Sequence, residues 1–176
     1  MKTTIVLAMH GAPPKDFPRR ELGEFFGLSH QLGHSGGQDH AALQDRHREL
    51  ETMMRAWPRT EANDPYHAAA FRLAEQLRLA TADEVVVGFN EFCGPTLDQA
   101  LDEAAREHPD RIVVVTPMMT RGGGHSEVDI PRSVQAAQER HPGINIRFVW
   151  PFEVSEIAAF LAAQVQKHLR GIEEGQ

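Results

Sequence analysis

Cysteine is nearly absent from this chain. Cys93 is the one thiol among 176 residues. An intrachain disulfide is therefore excluded, and the composition fits a reducing compartment. Long apolar runs are missing too, since no stretch approaches the roughly 20 residues of a membrane-spanning helix. The N-terminus carries Lys2 and goes straight into an apolar strand-like segment, which is not the pattern of a signal peptide. A cytoplasmic protein without a membrane partner is the expectation. Basic charge is also in short supply: 18 Lys and Arg against 25 Asp and Glu give a net charge of −7. That balance argues against nucleic acid as a partner, because such a surface needs a basic footprint. No internal repeat or low-complexity tract is evident. Histidine, by contrast, is plentiful at ten residues. Neutral imidazole is the commonest metal-binding side chain, although most surface histidines are simply solvated.

The length suggests one domain, residues 1–176, with enough apolar surface to fold without staples. Four runs read as buried parallel strands: Thr3–Met9, Glu84–Phe89, 111–116 and 145–149. They are short, continuous and rich in Val and Ile, without strict alternation. Helical patterns follow them over 96–108, 131–141 and 154–169. The first of these carries Leu97, Ala100, Leu101, Ala104 and Ala105 on one face, and Thr96 is placed to cap it. Pro109 and Pro142-Gly143 stop two helices before the next strand. The order predicts an α/β fold: a flavodoxin-like, doubly wound, four-stranded parallel sheet with helices on both faces.

The first crossover departs from that plan. About 70 residues separate the first two strands, where roughly a dozen would suffice. Three helices are expected there, over 19–31, 41–57 and 65–80. The last is the crossover helix. It starts at Pro65, and Phe71, Leu73, Leu77 and Leu79 supply its apolar surface. The other two form a helical insertion over approximately 17–64, either a lid over the site or a dimer arm. Gly33-His34-Ser35-Gly36-Gly37 reads as a flexible joint between them. In the second helix Leu43, Leu50, Met53, Met54 and Trp57 share one side and read as packing. His30, His34, His40 and His47 have no ligand spacing and read as solvated rather than as a second metal site.

Ligands of open α/β sheets bind beyond the carboxyl ends of the strands. His10, Glu91 and His125 fall there, just after the first, second and third strands. Two imidazoles and a carboxylate suit a borderline divalent ion and leave coordination positions open. The plainer alternatives are that His10 and His125 cap loop or helix ends and that Glu91 is a solvated turn residue.

Around these positions the sequence resembles a known family. Met9-His10-Gly11-Ala12 is similar to the His-Gly-Ser opening of CbiX/SirB-type sirohydrochlorin chelatases. Phe89-Asn90-Glu91-Phe92 with Gly94-Pro95-Thr96-Leu97 resembles their Phe-Leu-Glu segment and the Glu-Pro-Ser/Thr-Leu after it. Thr116-Pro117-Met118-Met119, leading to His125-Ser126-Glu127-Val128-Asp129-Ile130-Pro131, resembles their Pro-Leu run and His-x-x-x-Asp-Ile-Pro motif. Val149-Trp150-Pro151 before a helix also fits. The likeness covers residues 1–14 and roughly 65–170.

The resemblance implies a class II chelatase that inserts a divalent metal, Co²⁺, Fe²⁺ or Ni²⁺, into sirohydrochlorin or a related tetrapyrrole without ATP. The metal is then a substrate, no organic cofactor is implied, and a one-unit chain implies a homodimer. Carried over by position, His10 and His125 bind metal and accept protons while Glu91 assists. The alternatives kept open are a non-enzymatic metal carrier or sensor on the same fold, and a ferrochelatase-like enzyme for another porphyrin. Arg121 and Arg132 are candidates for the substrate carboxylates. Asp129 and Pro131 read as the cap and first turn of the following helix. Three features depart from the family pattern: Ala12 in place of a small hydroxyl residue, the Gly122-Gly123-Gly124 run, and the long first crossover.

Overall fold

The computed structural model describes residues 1–34 and 40–174. Most of the expected 33–37 joint thus lies outside the described residues. Four parallel strands form one sheet in the order β2-β1-β3-β4, with β1 Thr3–Met9, β2 Glu84–Phe89, β3 Arg111–Val115 and β4 Asn145–Phe148. This is the flavodoxin-like order. Every residue of β1 is buried, as a central strand covered on both faces requires. The outer strands carry charge instead: Glu84 is exposed on β2, as is Arg147 on β4. Charged edges discourage pairing with other chains.

One face of the sheet is closed by α4 (Leu97–Arg106) and α5 (Ile130–Arg140). Val6, Ala8, Ile112 and Val114 meet Leu97, Ala100, Leu101 and Ala104 of α4 and Ile130 and Ala137 of α5. Thr96 caps α4 as expected and forms a reciprocal box with Gln99. Gly88 lets α4 approach β2 closely. A Cβ there would lie 2.8 Å from the Ala100 Cβ and 2.9 Å from the Leu97 Cα.

The other face is covered over β1 and β2 by α3 (Pro65–Thr81), which presents Ala70 and Ala74 to Leu7, Met9, Val87 and Phe89. The large residues expected to pack behave differently, with Phe71, Leu73 and Leu79 all exposed. Small side chains let the helix sit close to the sheet, and His67 stacks on Phe89 at 5.2 Å. Burial pushes the His67 imidazole below its ordinary value.

Helices thus lie on both faces of the sheet, as expected, and the C-terminal α6 (Val154–Glu174) follows β4. It does not return to the sheet, and every residue from Ala158 to Ile172 is exposed. No described helix is long and apolar enough to cross a bilayer.

Helices α1 (Arg19–His34) and α2 (His40–Arg55) pack on each other through Phe25, Leu28, Leu50 and Met54, with Phe17 beneath them. Met54 and Trp57 are packing residues as read, whereas Met53 is exposed. Phe92, just after β2, touches both this cluster and the one under α3. The helix pair is thus anchored at the carboxyl end of the sheet.

Replacing Gly88 with Ala forces α4 away from β2. We expect a loss of about 1–3 kcal/mol in urea-induced unfolding, with the fold retained.

Candidate functional site

The first two site residues are set by continued pairing of the chain beyond the sheet. Asn90 donates its backbone N–H and its Nδ2 to the Met9 carbonyl at 2.9 and 2.7 Å, and Glu91 N–H donates to the His10 carbonyl at 3.0 Å. The loops after β1 and β2 therefore run side by side in register. The His10 N–H is satisfied by the Tyr66 hydroxyl of α3 at 3.2 Å. Gly11 makes the close approach possible. Its φ is +117°, and a Cβ would lie 1.8 Å from the Glu91 carbonyl oxygen.

His125 arrives from the opposite side of β1. The helix expected to start near Pro131 in fact begins earlier, as a π-helical turn over His125–Asp129 that runs straight into α5. Asp129 is therefore helical itself and makes no capping hydrogen bond, contrary to expectation. Its Oδ2 lies 2.8 Å from His125 Nδ1 instead. An ionised carboxylate accepts, so Nδ1–H donates to Asp129 and Nε2 is the ring nitrogen that faces Glu91.

Three candidate ligands converge. His10 Nδ1 lies 3.0 Å and His125 Nε2 3.5 Å from the same Glu91 oxygen, Oε1. The two imidazole rings stand edge to face with centroids 4.6 Å apart. His10 Nδ1 is also 2.9 Å from the Gly11 carbonyl. One donor atom from each of the three residues falls within 4.8 Å of the others, and among the described residues no other group of His, Cys, Asp and Glu does this. All three side chains are partly open to solvent, as an exchangeable ligand requires.

Beneath the loops lies an ion pair that was not read from the sequence. Arg59 and Asp64 are hydrogen-bonded, with side chains 6% and 1% exposed. Arg59 also donates to the carbonyls of Ala12 (2.8 Å), Met54 (2.8 Å) and Phe92 (2.6 Å). Asp64 in turn caps α3 by accepting from the His67 N–H at 2.9 Å. Burial pushes the neighbouring Cys93 thiol up, so it stays a neutral packing group. The spacing of Asp64 before Pro65 was the available signal for its capping role. The i, i+4 spacing of His125 and Asp129 was the signal for the other missed partner.

The remaining candidates are more dispersed. Arg121 stands over the Trp150 ring, 5.7 Å from its centroid, and Trp150 Nε1 donates to the Met118 carbonyl. Arg132 approaches Asp129 Oδ1 at 3.4 Å, one residue removed from His125. His47 is not a freely solvated residue as expected: it stacks on Phe25 at 4.4 Å and lies 2.8 Å from the Ser29 hydroxyl. A cleft of about 490 Å³ between α1, α2 and the β2 loop is lined by Phe25, Phe26, His47, Arg55, Glu91 and Phe92 among others. Glu91 belongs to both this cleft and the three-residue cluster.

A parallel α/β sheet thus brings two imidazoles and a carboxylate together at adjoining strand ends, a donor set that could hold a divalent metal ion. The comparisons narrow this class. The CbiX family model matches residues 58–168, and the chain belongs to that family. Sirohydrochlorin ferrochelatase of Priestia megaterium is 31% identical over 70 residues, 40% of this chain and 26% of that protein. Sirohydrochlorin cobaltochelatase of Sulfurisphaera tokodaii is 34% identical over 89 residues, 50% of this chain and 70% of that protein. The chain spans only about a quarter of the length of the Priestia megaterium relatives it matches. A crystal structure of a cobalamin (vitamin B12) biosynthesis CbiX protein from Marinobacter aquaeolei superposes with a TM-score of 0.52 at 17% identity, covering 96% of this chain and 98% of that one. That likeness supports the shared fold.

Gly11→Ala introduces a methyl where the backbone of the neighbouring loop already lies. We expect Tm to fall by roughly 5 °C or more in a calorimetric scan.

Proposed function

We propose that this protein inserts a divalent metal ion, Co²⁺, Fe²⁺ or Ni²⁺, into sirohydrochlorin or a related tetrapyrrole without ATP. The observation that carries this reading is the convergence of His10 and His125 on one oxygen of Glu91. The chelatase names of the relatives agree with it.

The donor set fits the task. Two neutral imidazoles and one carboxylate hold a borderline divalent ion through three positions and leave the others for water or pyrrole nitrogens. Insertion requires two protons to leave the macrocycle as the metal enters. A histidine that has released its metal regains a basic lone pair and takes up one of them. Glu91, between the two rings, keeps negative charge beside the cation. Asp129 holds the His125 ring in the orientation that points Nε2 inward.

The cleft beside Glu91 is the proposed seat for the macrocycle. Phe25, Phe26 and Phe92 offer apolar area to a flat ring. Arg121 and Arg132 flank the His125 side and would meet the peripheral carboxylates. In this reading residues 17–64 form a helical insertion whose α1–α2 pair walls the substrate cleft rather than supplying ligands. The whole of residues 1–176 acts as one chelatase unit, paired as a homodimer in the cytoplasm.

The test is anaerobic incubation with sirohydrochlorin and each metal in turn, followed by absorbance. We expect a metal-dependent spectral change that is lost in His10→Ala and His125→Ala, with circular dichroism unchanged. Normal turnover by the double variant would falsify the assignment. Tight metal binding by the unaltered protein with no spectral change would instead favour a carrier or sensor.

Asp129→Asn keeps the shape but weakens the acceptor for His125. Calorimetric titration with Co²⁺ is expected to show affinity reduced about 10–100-fold.

A further inference from the structure

The candidate ligands sit between two unlike flanks. The sheet order sets β2 on one side of β1 and β3 on the other. The loops carrying Glu91 and His125 therefore leave the sheet on opposite sides of the loop carrying His10.

Beyond Glu91 lies the cleft walled by α1 and α2. Its apolar lining is Phe25, Phe26, Leu32 and Phe92. Phe26 is 48% exposed, so its ring is open to an incoming molecule. Two carboxylates, Glu51 and Glu91, share this lining. Among the described lining residues there is no lysine, and Arg55 is the one arginine. Its guanidinium is already engaged: it donates to Glu51 at 2.8 and 2.9 Å and to the carbonyls of Cys93 and Asn90 at 2.7 and 3.2 Å. The flank beyond His125 has the reverse character. Arg121 is exposed and stands over the Trp150 ring, with no acid partner among the described residues. Arg132 is 78% exposed and reaches one oxygen of Asp129 at 3.4 Å.

A carboxylate pushed into the cleft would lose water, meet two like charges and find no uncommitted cation to offset the loss. An apolar edge there gains contact with aromatic rings instead. On the opposite flank a carboxylate stays in water and meets a guanidinium.

We infer that the macrocycle enters in one orientation, with a carboxylate-free edge in the α1–α2 cleft and its acids toward Arg121 and Arg132. The preferred substrate class is then a tetrapyrrole whose carboxylates are gathered on one edge, not one that carries them around the whole rim. The α1–α2 pair is the selectivity device, and Phe26 is its most accessible part. This rests on the metal-insertion reading, from which it takes the cleft as the seat of the ring.

Porphyrin fluorescence, titrated with the full chain and without metal, tests it with two probes of equal ring size. Mesoporphyrin has both propionates on one edge, whereas uroporphyrin has carboxylates on every pyrrole. Mesoporphyrin is expected to bind about tenfold tighter or more. Phe26→Arg places a cation in the cleft at an exposed position. It is expected to shrink that ratio about tenfold, with circular dichroism unchanged. Phe26→Ala is expected to weaken mesoporphyrin about fivefold and to leave uroporphyrin unaltered. Arg121→Ala is expected to weaken both probes, and no weakening of either overturns the orientation. Uroporphyrin binding as tightly as mesoporphyrin, or more so, overturns the inference and leaves the metal-insertion reading standing. A ratio indifferent to both Phe26 changes overturns it as well, because the ring then binds elsewhere. Binding of neither porphyrin overturns it too, while sirohydrochlorin turnover by the same preparation keeps the insertion reading. Selective, Phe26-dependent binding of mesoporphyrin with no metal taken up supports the orientation while the insertion reading fails.

Discussion

The ion pair between Arg59 and Asp64 is the contact on which the functional end of the molecule depends. Burying two charges is expensive, and their attraction offsets the cost only when the remaining hydrogen-bonding positions are filled. Here nearly all of them are. Arg59 spends its donors on three carbonyls from three segments, those of Ala12 after β1, Phe92 after β2 and Met54 in α2. Asp64 spends an acceptor on the first turn of α3. One guanidinium thus ties together the loop that carries His10, the loop that carries Glu91, and the α1–α2 pair beside them. Only Arg59 Nε has no partner. Losing either residue would leave the other charge buried and unpaired, which is the costly case.

Above this clasp, the site is a product of parallel strand register. β1 lies between β2 and β3, so residues leaving the three strands at similar heights are neighbours. His10 and Glu91 are kept abreast by backbone pairing that continues into the loops. His125 is brought in by a different device. A π-helical turn lets the chain between β3 and α5 present both His125 and Asp129 from one short segment. Such turns are rare and concentrate at functional positions. The result is an arrangement with a hydrogen-bonded backbone and partly exposed side chains.

The two ends of the crossover pattern differ in how they satisfy their apolar surface. The α1–α2 pair buries Phe25, Leu28, Leu50 and Met54 between its own helices and so needs no help from the sheet. α6 has no such packing within the described residues, and its apolar side chains stay exposed. The first arrangement adds a wall to the cleft at Glu91.

Much of the architecture was legible because hydrophobic period and punctuation act locally. Continuous Val- and Ile-rich runs specified β1 and β2 to the residue, and Thr96 announced the start of α4 through its capping chemistry. His10, Glu91 and His125 were legible for a related reason: the ends of parallel strands are where the topology must bring side chains together. What local pattern could not reveal was anything decided by distant segments meeting. Asp129 looked like a cap until the helix was found to begin at His125. Arg59 carried no local signal, because the three carbonyls that hold it come from separate segments that meet only in the fold. The helical pattern over 154–169 followed a strand like the others, and only the fold shows that α6 stays exposed. By itself the sequence determined the elements and the chemistry of the three candidate ligands, because propensity and residue type are properties of single segments. Only the tertiary structure decided which groups share a site and which surfaces stay uncovered, because desolvation and packing are properties of segments brought together.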